Sequence, residues 1–193
     1  MKTSFLNLNL KEVILTGIFS ALTVIFSQIS IRIPFSPVPI TMQALAVCLS
    51  AAILGKKCGA ISQFIYVLLG VIGLPVFSGF NSGLGALLGP TGGYIISFPF
   101  TAFIIGYIIE KSKKINKLSM FSAMLFGWTV CYAFGTLWLG ISLKLSFSKA
   151  LVVGIGWYLP LDIIKIFIAS FIAYYVREAL IKCGFLRERG FSA

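Results

Sequence analysis

The stretch that decides the fold runs from Gly73 to Tyr94 and reads GLPVFSGFNSGLGALLGPTGGY. It contains seven glycines, two prolines, one asparagine and no charged residue, so we do not expect a helix in its own right. It is also too apolar for an ordinary solvated loop. In a bilayer, non-helical backbone is tolerated only where protein buries it or where it lines a cavity. The stretch therefore predicts a loop that folds back onto the protein and lines or covers a site. A re-entrant connector without a ligand is the alternative.

The composition around this loop is that of a polytopic membrane protein. Of the 193 residues, 59% are hydrophobic and 11% are charged. The chain has no histidine, which excludes a histidine-based metal site or general base, and we predict neither a metal nor a cofactor. Its four cysteines lack CxxC spacing and are interpreted as small apolar filler. The net charge of +11 indicates basic cytoplasmic loops that face anionic lipid, rather than a nucleic-acid surface.

Six apolar runs predict six transmembrane helices in a single domain, residues 1–193. The fold class is therefore an all-α integral membrane protein. The runs are residues 13–31, 41–54, 59–73, 94–109, 118–143 and 150–176. The second and third runs are short, so five or seven spans are alternatives.

The distribution of lysine and arginine predicts the orientation. Taken alternately, one set of loops holds only three such residues, Arg32, Lys144 and Lys149. The other set, which includes both termini, holds twelve: Lys2, Lys11, Lys56, Lys57, Lys111, Lys113, Lys114, Lys117, Arg177, Lys182, Arg187 and Arg189. Both termini are therefore predicted to be cytoplasmic, and the Gly-rich loop between the third and fourth helices is predicted to face outward.

A second outward-facing segment is rich in proline and reads RIPFSPVPITMQ, from Arg32 to Gln43. Proline at residues 34, 37 and 39 predicts an extended conformation close to polyproline II. Beside the Gly-rich loop, such a strand would form a lid and wall over an outward-facing pocket. Alternatively, the prolines only end the first helix and start the second.

Two charged residues inside the sixth run are the strongest indication of a site. Asp162 and Lys165 would each cost about 2.5–3.5 kcal/mol in hydrocarbon, so such residues usually face the protein interior or a wet cavity. At spacing i, i+3 they share a helix face and can pair. Pro160, just before them, removes a backbone hydrogen bond. We interpret the pair as binding a polar ligand or ion, with a structural ion pair as the alternative.

Amides and aromatic residues near the outer side are further candidates. Asn81 is the one amide of the Gly-rich loop and suits a urea, amide or lactam group, although it could equally be a turn residue. Gln43 could reach the same pocket. Aromatic residues near the outer ends of spans are interpreted as interface anchors or as walls of a ring-binding pocket: Tyr94, Trp138, Trp157 and Tyr158.

Some enzyme classes are excluded by missing motifs. The sequence has no GxxxxGK[ST] phosphate loop, no HExxH and no Ser/His or Cys/His pair. The prediction is a transport protein without its own ATPase, not an enzyme. Gly17 and Ala21 form a small-xxx-small pair in the first run, which would pack within this chain or against a partner subunit.

Four motifs, in their order and spacing, resemble the BioY family of bacterial biotin transporters. They are PVPITMQ at 37–43, GLPVF at 73–77, LGPTGGY at 88–94 and PLDIIK at 160–165. The resemblance implies a multi-pass protein of the bacterial cell membrane that binds biotin from outside, as the S component of an energy-coupling factor (ECF) transporter. It implies membrane lipid, a transmembrane coupling subunit and two cytoplasmic ABC-type ATPases as partners. Some members are reported to work alone, so a stand-alone biotin or small-vitamin transporter driven by an ion gradient is the alternative.

The resemblance also implies roles for individual residues. Asn81, Asp162 and Lys165 would meet the ureido ring of biotin, and Gln43 and Tyr94 would line the pocket near its other end. Glycines of the loop, among them Gly83 and Gly93, would let the backbone approach the ligand.

By the same resemblance, the pair Gly17 and Ala21 would dock on the coupling subunit. Here glycine replaces the first alanine of the usual Ala-xxx-Ala pattern. PLDIIK also has Leu161 where the family has a small residue.

Overall fold

The structure, a computed structural model, describes residues 8–34, 36–112 and 114–185. The buried core lies between α2, α4 and α5, and α1 and α7 pack on α2. In chain order the elements are α1 Leu10–Gln28, β1 Ser30–Ile33, β2 Ser36–Thr41, α2 Gln43–Val71, a 3-10 turn Ser78–Phe80, α3 Gly83–Leu88, α4 Gly92–Lys111, α5 Lys117–Ser142, α6 Phe147–Leu151, a π turn Val152–Gly156 and α7 Leu159–Lys182.

The predicted all-α integral membrane fold is confirmed. Among the described residues, five helices are long and apolar enough to cross a membrane, namely α1, α2, α4, α5 and α7. The first, fourth and fifth predicted runs correspond to α1, α4 and α5 to within about three residues at each end.

Helix α2 is not straight but folds back on itself at Gly55, which has φ +80°. The Gln43 amide donates to the Tyr66 hydroxyl at 2.7 Å, and the Gln63 amide donates to the Ser50 hydroxyl at 3.0 Å. In a straight helix residues 43 and 66 would be about 34 Å apart. The two arms therefore run antiparallel, with buried polar contacts between them.

The two arms correspond to the predicted runs 41–54 and 59–73. The first arm, residues 43–54, is about 18 Å long, and the hydrocarbon core of a bilayer is about 30 Å thick. The count of six spans therefore stays a prediction, as does the orientation with both termini inside. Four residues used in the orientation argument lie outside the described residues: Lys2, Lys113, Arg187 and Arg189.

A buried arginine stabilises the fold-back. The first arm ends at the reversal, so its last carbonyls lack helical partners. Arg177 of α7 donates through Nη1 to the carbonyls of Ala52 at 2.7 Å and Ile53 at 3.3 Å. Glycine suits the reversal because φ +80° at Gly55 is a conformation that L side chains rarely adopt. The assignment of Arg177 to a cytoplasmic loop was wrong, because the residue is buried within α7.

The sixth predicted run, 150–176, is divided into two helices. The chain passes from α6 through the π turn, and α7 begins at Leu159 with Pro160 in its first turn. Proline is tolerated there because the first turn has no N–H partner to lose. As a result Asp162 lies in the first turn of α7, beside a break in the helix.

The two outward-facing segments differ in detail from the predictions. The proline-rich segment is extended as expected, but β1 and β2 pair as an antiparallel hairpin, with Ser30 opposite Thr41. The Gly-rich segment contains a 3-10 turn and the helix α3, so the expectation of no helix was wrong for Gly83–Leu88.

Gln28 holds the start of this Gly-rich segment against α1. Its amide donates to the carbonyls of Val76 at 3.3 Å and Phe77 at 3.2 Å, and its side-chain oxygen accepts from the backbone N–H of Phe80 at 3.0 Å. The segment therefore folds back onto the protein, as its composition predicts.

Candidate ligand-binding cavity

A cavity of about 710 Å³ lies between the β-hairpin, the Gly-rich segment and the helices α2, α4, α5 and α7. Ligand pockets commonly have volumes of about 300–1,000 Å³, so a drug-sized molecule fits. The lining is mostly apolar and aromatic, with a few polar groups. Five of the predicted site residues are among those that line it: Gln43, Asn81, Tyr94, Asp162 and Lys165.

Asp162 and Lys165 form a buried ion pair in the cavity wall. The distance from Lys165 Nζ to Asp162 Oδ1 is 2.8 Å, and the two side chains are 12% and 10% exposed. Oδ2 of Asp162 accepts from the Tyr132 hydroxyl at 2.8 Å and the Trp128 indole N–H at 3.3 Å. Lys165 also donates to the carbonyl of Thr41 at 2.8 Å. The pair is thus held by α5, by α7 and by the base of the hairpin.

By count, one acceptor site of Asp162 and one N–H of Lys165 have no partner among the described residues, and both residues line the cavity. A carboxylate offers about four lone-pair sites, and a lysine ammonium has three N–H bonds. Among the described residues, three donors reach Asp162 and two acceptors receive from Lys165. The remaining acceptor on Asp162 and the remaining donor on Lys165 match the N–H and C=O of a urea or amide.

Aromatic rings of α4 and α5 line the cavity beside this pair. Phe98 and Trp128 stack with their ring centroids 6.4 Å apart, and Trp128 meets Tyr132 edge-on at 6.2 Å. Tyr94 is fixed by its hydroxyl, which donates to the carbonyl of Gly154 at 3.0 Å. These faces provide an apolar surface for a ring.

Gln43 and Asn81 both line the cavity, and the roles that the resemblance gives them towards biotin stay predictions. Gln43 adjoins the ion pair, because the Thr41 hydroxyl donates to its Oε1 at 3.0 Å and the Thr41 carbonyl accepts from Lys165. Asn81 is exposed and donates to the carbonyl of Ser78 at 2.7 Å. Gln43 is thus at the Lys165 end of the cavity, and the contacts of Asn81 are with the Gly-rich segment.

Gly83 and Gly93 are not among the residues that line the cavity. Gly83 has φ +78° at the start of α3, a conformation that favours glycine. Gly93 lets α4 approach α5, because a Cβ there would lie 2.3 Å from Cβ of Trp138 and 2.8 Å from the carbonyl oxygen of Phe134. The glycines of the lining are Gly85, Gly89 and Gly154.

The pair Gly17 and Ala21 lies on the exposed face of α1. A Cβ at Gly17 would meet no atom within 4 Å among the residues that the structure describes. The opposite face of α1 packs on the protein through Thr16, Ser20 and Thr23. Among the described residues nothing packs against Gly17, and docking of this pair on a partner stays a prediction.

The model of the BioY family matches residues 1–182. The chain belongs to the BioY family. BioY relatives include the "Biotin transporter BioY" of Thermotoga maritima, 39% identical over 88% of this chain and 97% of the relative, and the "Probable biotin transporter BioY" of Pyrococcus horikoshii, 41% identical over 84% and 94%.

A solved structure has the same fold. It is described as the S-component for biotin from an ECF-type ABC transporter, and it matches with a TM-score of 0.82 and 31% identity over 87% of this chain and 91% of the other. Together with the apolar helices, BioY membership identifies a multi-pass protein of the bacterial plasma membrane, as the sequence predicted.

Several lining residues of this BioY chain were not singled out from sequence. Trp128 and Tyr132 are spaced i, i+4 in the fifth run, so they share a helix face. That spacing was the available signal, but aromatic residues inside a span carry no charge to mark them. Among the predicted interface anchors, Tyr158 lines the cavity and donates to the carbonyl of Val38, and Trp138 donates to the carbonyl of Gly89 at 2.9 Å.

Proposed function

We propose that this BioY chain is the membrane-embedded, high-affinity biotin-binding subunit, or S component, of an ECF-type vitamin uptake transporter. The observation that carries the proposal is the buried pair of Asp162 and Lys165 in the cavity wall, which by count keeps one acceptor site and one N–H without a partner among the described residues. Biotin has a ureido ring, an apolar thiophane body and a carboxylate tail. The printed descriptions of the BioY relatives and of the S-component structure support biotin as the ligand.

The ureido ring of biotin is the group that suits the ion pair. One ureido N–H would donate to Oδ1 of Asp162, and the ureido carbonyl would accept from Nζ of Lys165. Because both protein groups are charged and buried, each such hydrogen bond is worth about 1.5–3 kcal/mol. The thiophane body would lie against the aromatic faces of Phe98 and Trp128. In this arrangement Lys165 and Asp162 neutralise each other before and after binding.

The energy for uptake would come from partner subunits. The sequence has no phosphate-loop motif, and the solved relative is described as part of an ABC transporter. We propose a transmembrane coupling subunit and two cytoplasmic ABC-type ATPases as partners, and no cofactor. The exposed pair Gly17 and Ala21 supports docking through α1, since small residues let helices approach closely.

Binding of biotin to the detergent-purified chain alone tests the proposal. We expect tight one-to-one binding by calorimetry, and no binding of thiamine or riboflavin. A folded protein that does not bind biotin would contradict the assignment of the ligand. Uptake into vesicles that contain only this chain, if it requires a proton gradient, would instead favour the stand-alone transporter.

A further inference from the structure

The charges around the cavity do not sum to zero. Among the described lining residues, those with charged side chains at neutral pH are Asp162, Lys165 and Arg32. The first two neutralise each other in their ion pair. Arg32 is exposed on β1, and none of the ion pairs among the described residues includes it. The described lining therefore carries one net positive charge, on a guanidinium for which no ion pair or hydrogen bond is found among the described residues.

Arg32 lies where the β-hairpin meets the Gly-rich segment. Its Nη2 atom is so close to Gly79 that a Cβ on that glycine would lie 2.6 Å from it, and the Asn81 amide nitrogen is 3.7 Å from the same point. Gly79 also has φ +69°, which favours glycine. The guanidinium thus reaches across from one wall of the cavity to the other, next to the side-chain amide of Asn81.

The hairpin leads away from the ion pair towards Arg32. Lys165 binds the carbonyl of Thr41, and Thr41 pairs with Ser30 at the base of the hairpin. Arg32 is two residues further along β1, about 7 Å at strand spacing. In biotin the carboxylate ends a four-methylene tail that leaves the rings on the side away from the ureido group, so a cation further along the hairpin than Lys165 can meet it while the ring stays at the ion pair.

We propose that Arg32 binds the carboxylate of the ligand and makes the cavity select an anionic tail over a neutral one. The inference rests on the proposed function, because it takes biotin as the molecule whose ring occupies the Asp162–Lys165 end. A guanidinium pairs with a carboxylate through two parallel hydrogen bonds. A tail converted to an amide keeps the ring contacts but loses this charge pairing.

Calorimetry with two ligands and three variants tests the inference. The ligands are biotin and biotinamide, and the variants are Arg32→Gln, Arg32→Lys and the control Lys149→Gln. Lys149 is an exposed residue of α6 that does not line the cavity, so its variant removes a positive charge elsewhere. We expect the wild-type chain to prefer biotin to biotinamide. In Arg32→Gln we expect the affinity for biotin to fall by about tenfold or more, while that for biotinamide is unchanged.

Other outcomes separate the inference from the function on which it rests. Arg32→Lys should keep part of the preference, because it keeps the charge but not the planar fork. Equal affinity of the wild type for both ligands, or an unchanged preference in Arg32→Gln, would overturn the role of Arg32 and leave biotin binding intact. An equal loss of affinity for both ligands in Arg32→Gln would also overturn the role of Arg32. Arg32 would then affect the shape of the cavity and not the binding of the carboxylate. No binding of either ligand by the folded wild type would refute the proposed function itself.

Discussion

Replacing Asp162 with asparagine removes one charge from the ion pair and hardly changes the size of the side chain. The asparagine oxygen can face either Lys165 or the two donors Tyr132 and Trp128, but not both. Its NH₂ group then points at a donor in either orientation, because an amide has only one acceptor atom. The substitution therefore leaves at least one buried donor facing another donor.

The expected magnitudes follow from the burial of this pair. Removing one partner of a buried ion pair typically destabilises a protein by about 3–5 kcal/mol, and Lys165 would be left 12% exposed without its carboxylate. For binding, exchanging a charged acceptor for a neutral one costs about 1–3 kcal/mol. We therefore expect the dissociation constant for biotin to rise about 5- to 150-fold.

Two further variants keep the effect on folding apart from the effect on binding. Glu178→Gln removes an acid from the same helix, where the pair with Lys182 at 2.7 Å is exposed. An exposed pair contributes about 0–1 kcal/mol, so this control should bind biotin like the wild type. Asp162→Asn with Lys165→Met removes both charges, which should restore part of the thermal stability without restoring binding.

Titration calorimetry and thermal unfolding in detergent measure the two quantities. Wild-type affinity in folded Asp162→Asn would remove Asp162 from the binding site. Full recovery of binding in the double variant would show that neither charge meets the ligand. Either result would refute the assignment of the ureido ring to this pair.

Three other substitutions have separate expected outcomes. Gly17→Leu should leave biotin binding unchanged but block uptake by the assembled transporter, and normal uptake would show that the exposed face of α1 is not the docking face. Gln28→Ala removes three hydrogen bonds to the Gly-rich segment, so labelled biotin should dissociate about 5- to 30-fold faster. An unchanged rate would mean that these hydrogen bonds do not slow the release of the ligand. Gly93→Val places a Cβ 2.8 Å from a backbone carbonyl oxygen of α5, so the yield of folded protein should fall, and a normal yield would contradict the close packing of α4 on α5.

The long helices were predictable because each is apolar over enough residues to cross a bilayer. The reversal at Gly55 was only partly predictable. Its neighbours Lys56 and Lys57 marked an interruption, but the antiparallel arms depend on Arg177, which is more than 100 residues away in sequence. Arg177 was assigned to a loop because of its charge alone. Only the tertiary contacts show that its guanidinium donates hydrogen bonds inside the protein.

The candidate site residues were predictable to different degrees. Asp162 and Lys165 were identified from sequence because charged side chains inside a membrane span are costly and usually have a function or a partner. The roles of Gly83 and Gly93 were not predictable. A glycine in a motif can allow a turn, close helix packing or the approach of a ligand, and the sequence does not distinguish these roles. The β-hairpin was not predicted, because Pro37 and Pro39 favour a polyproline II conformation. The pairing of β2 with β1 depends on contacts between the two strands, which the proline pattern does not indicate.

Trp128 can serve as an intrinsic fluorescent probe of the cavity. Of the three tryptophans in the chain, only Trp128 is among the described lining residues, and its indole N–H donates to Asp162. Fluorescence of an indole depends on the polarity and the hydrogen bonding around it. Replacing Trp138 and Trp157 with phenylalanine would leave one emitter in the wall of the cavity. Occupancy could then be followed in real time, without labelling either the protein or the vitamin.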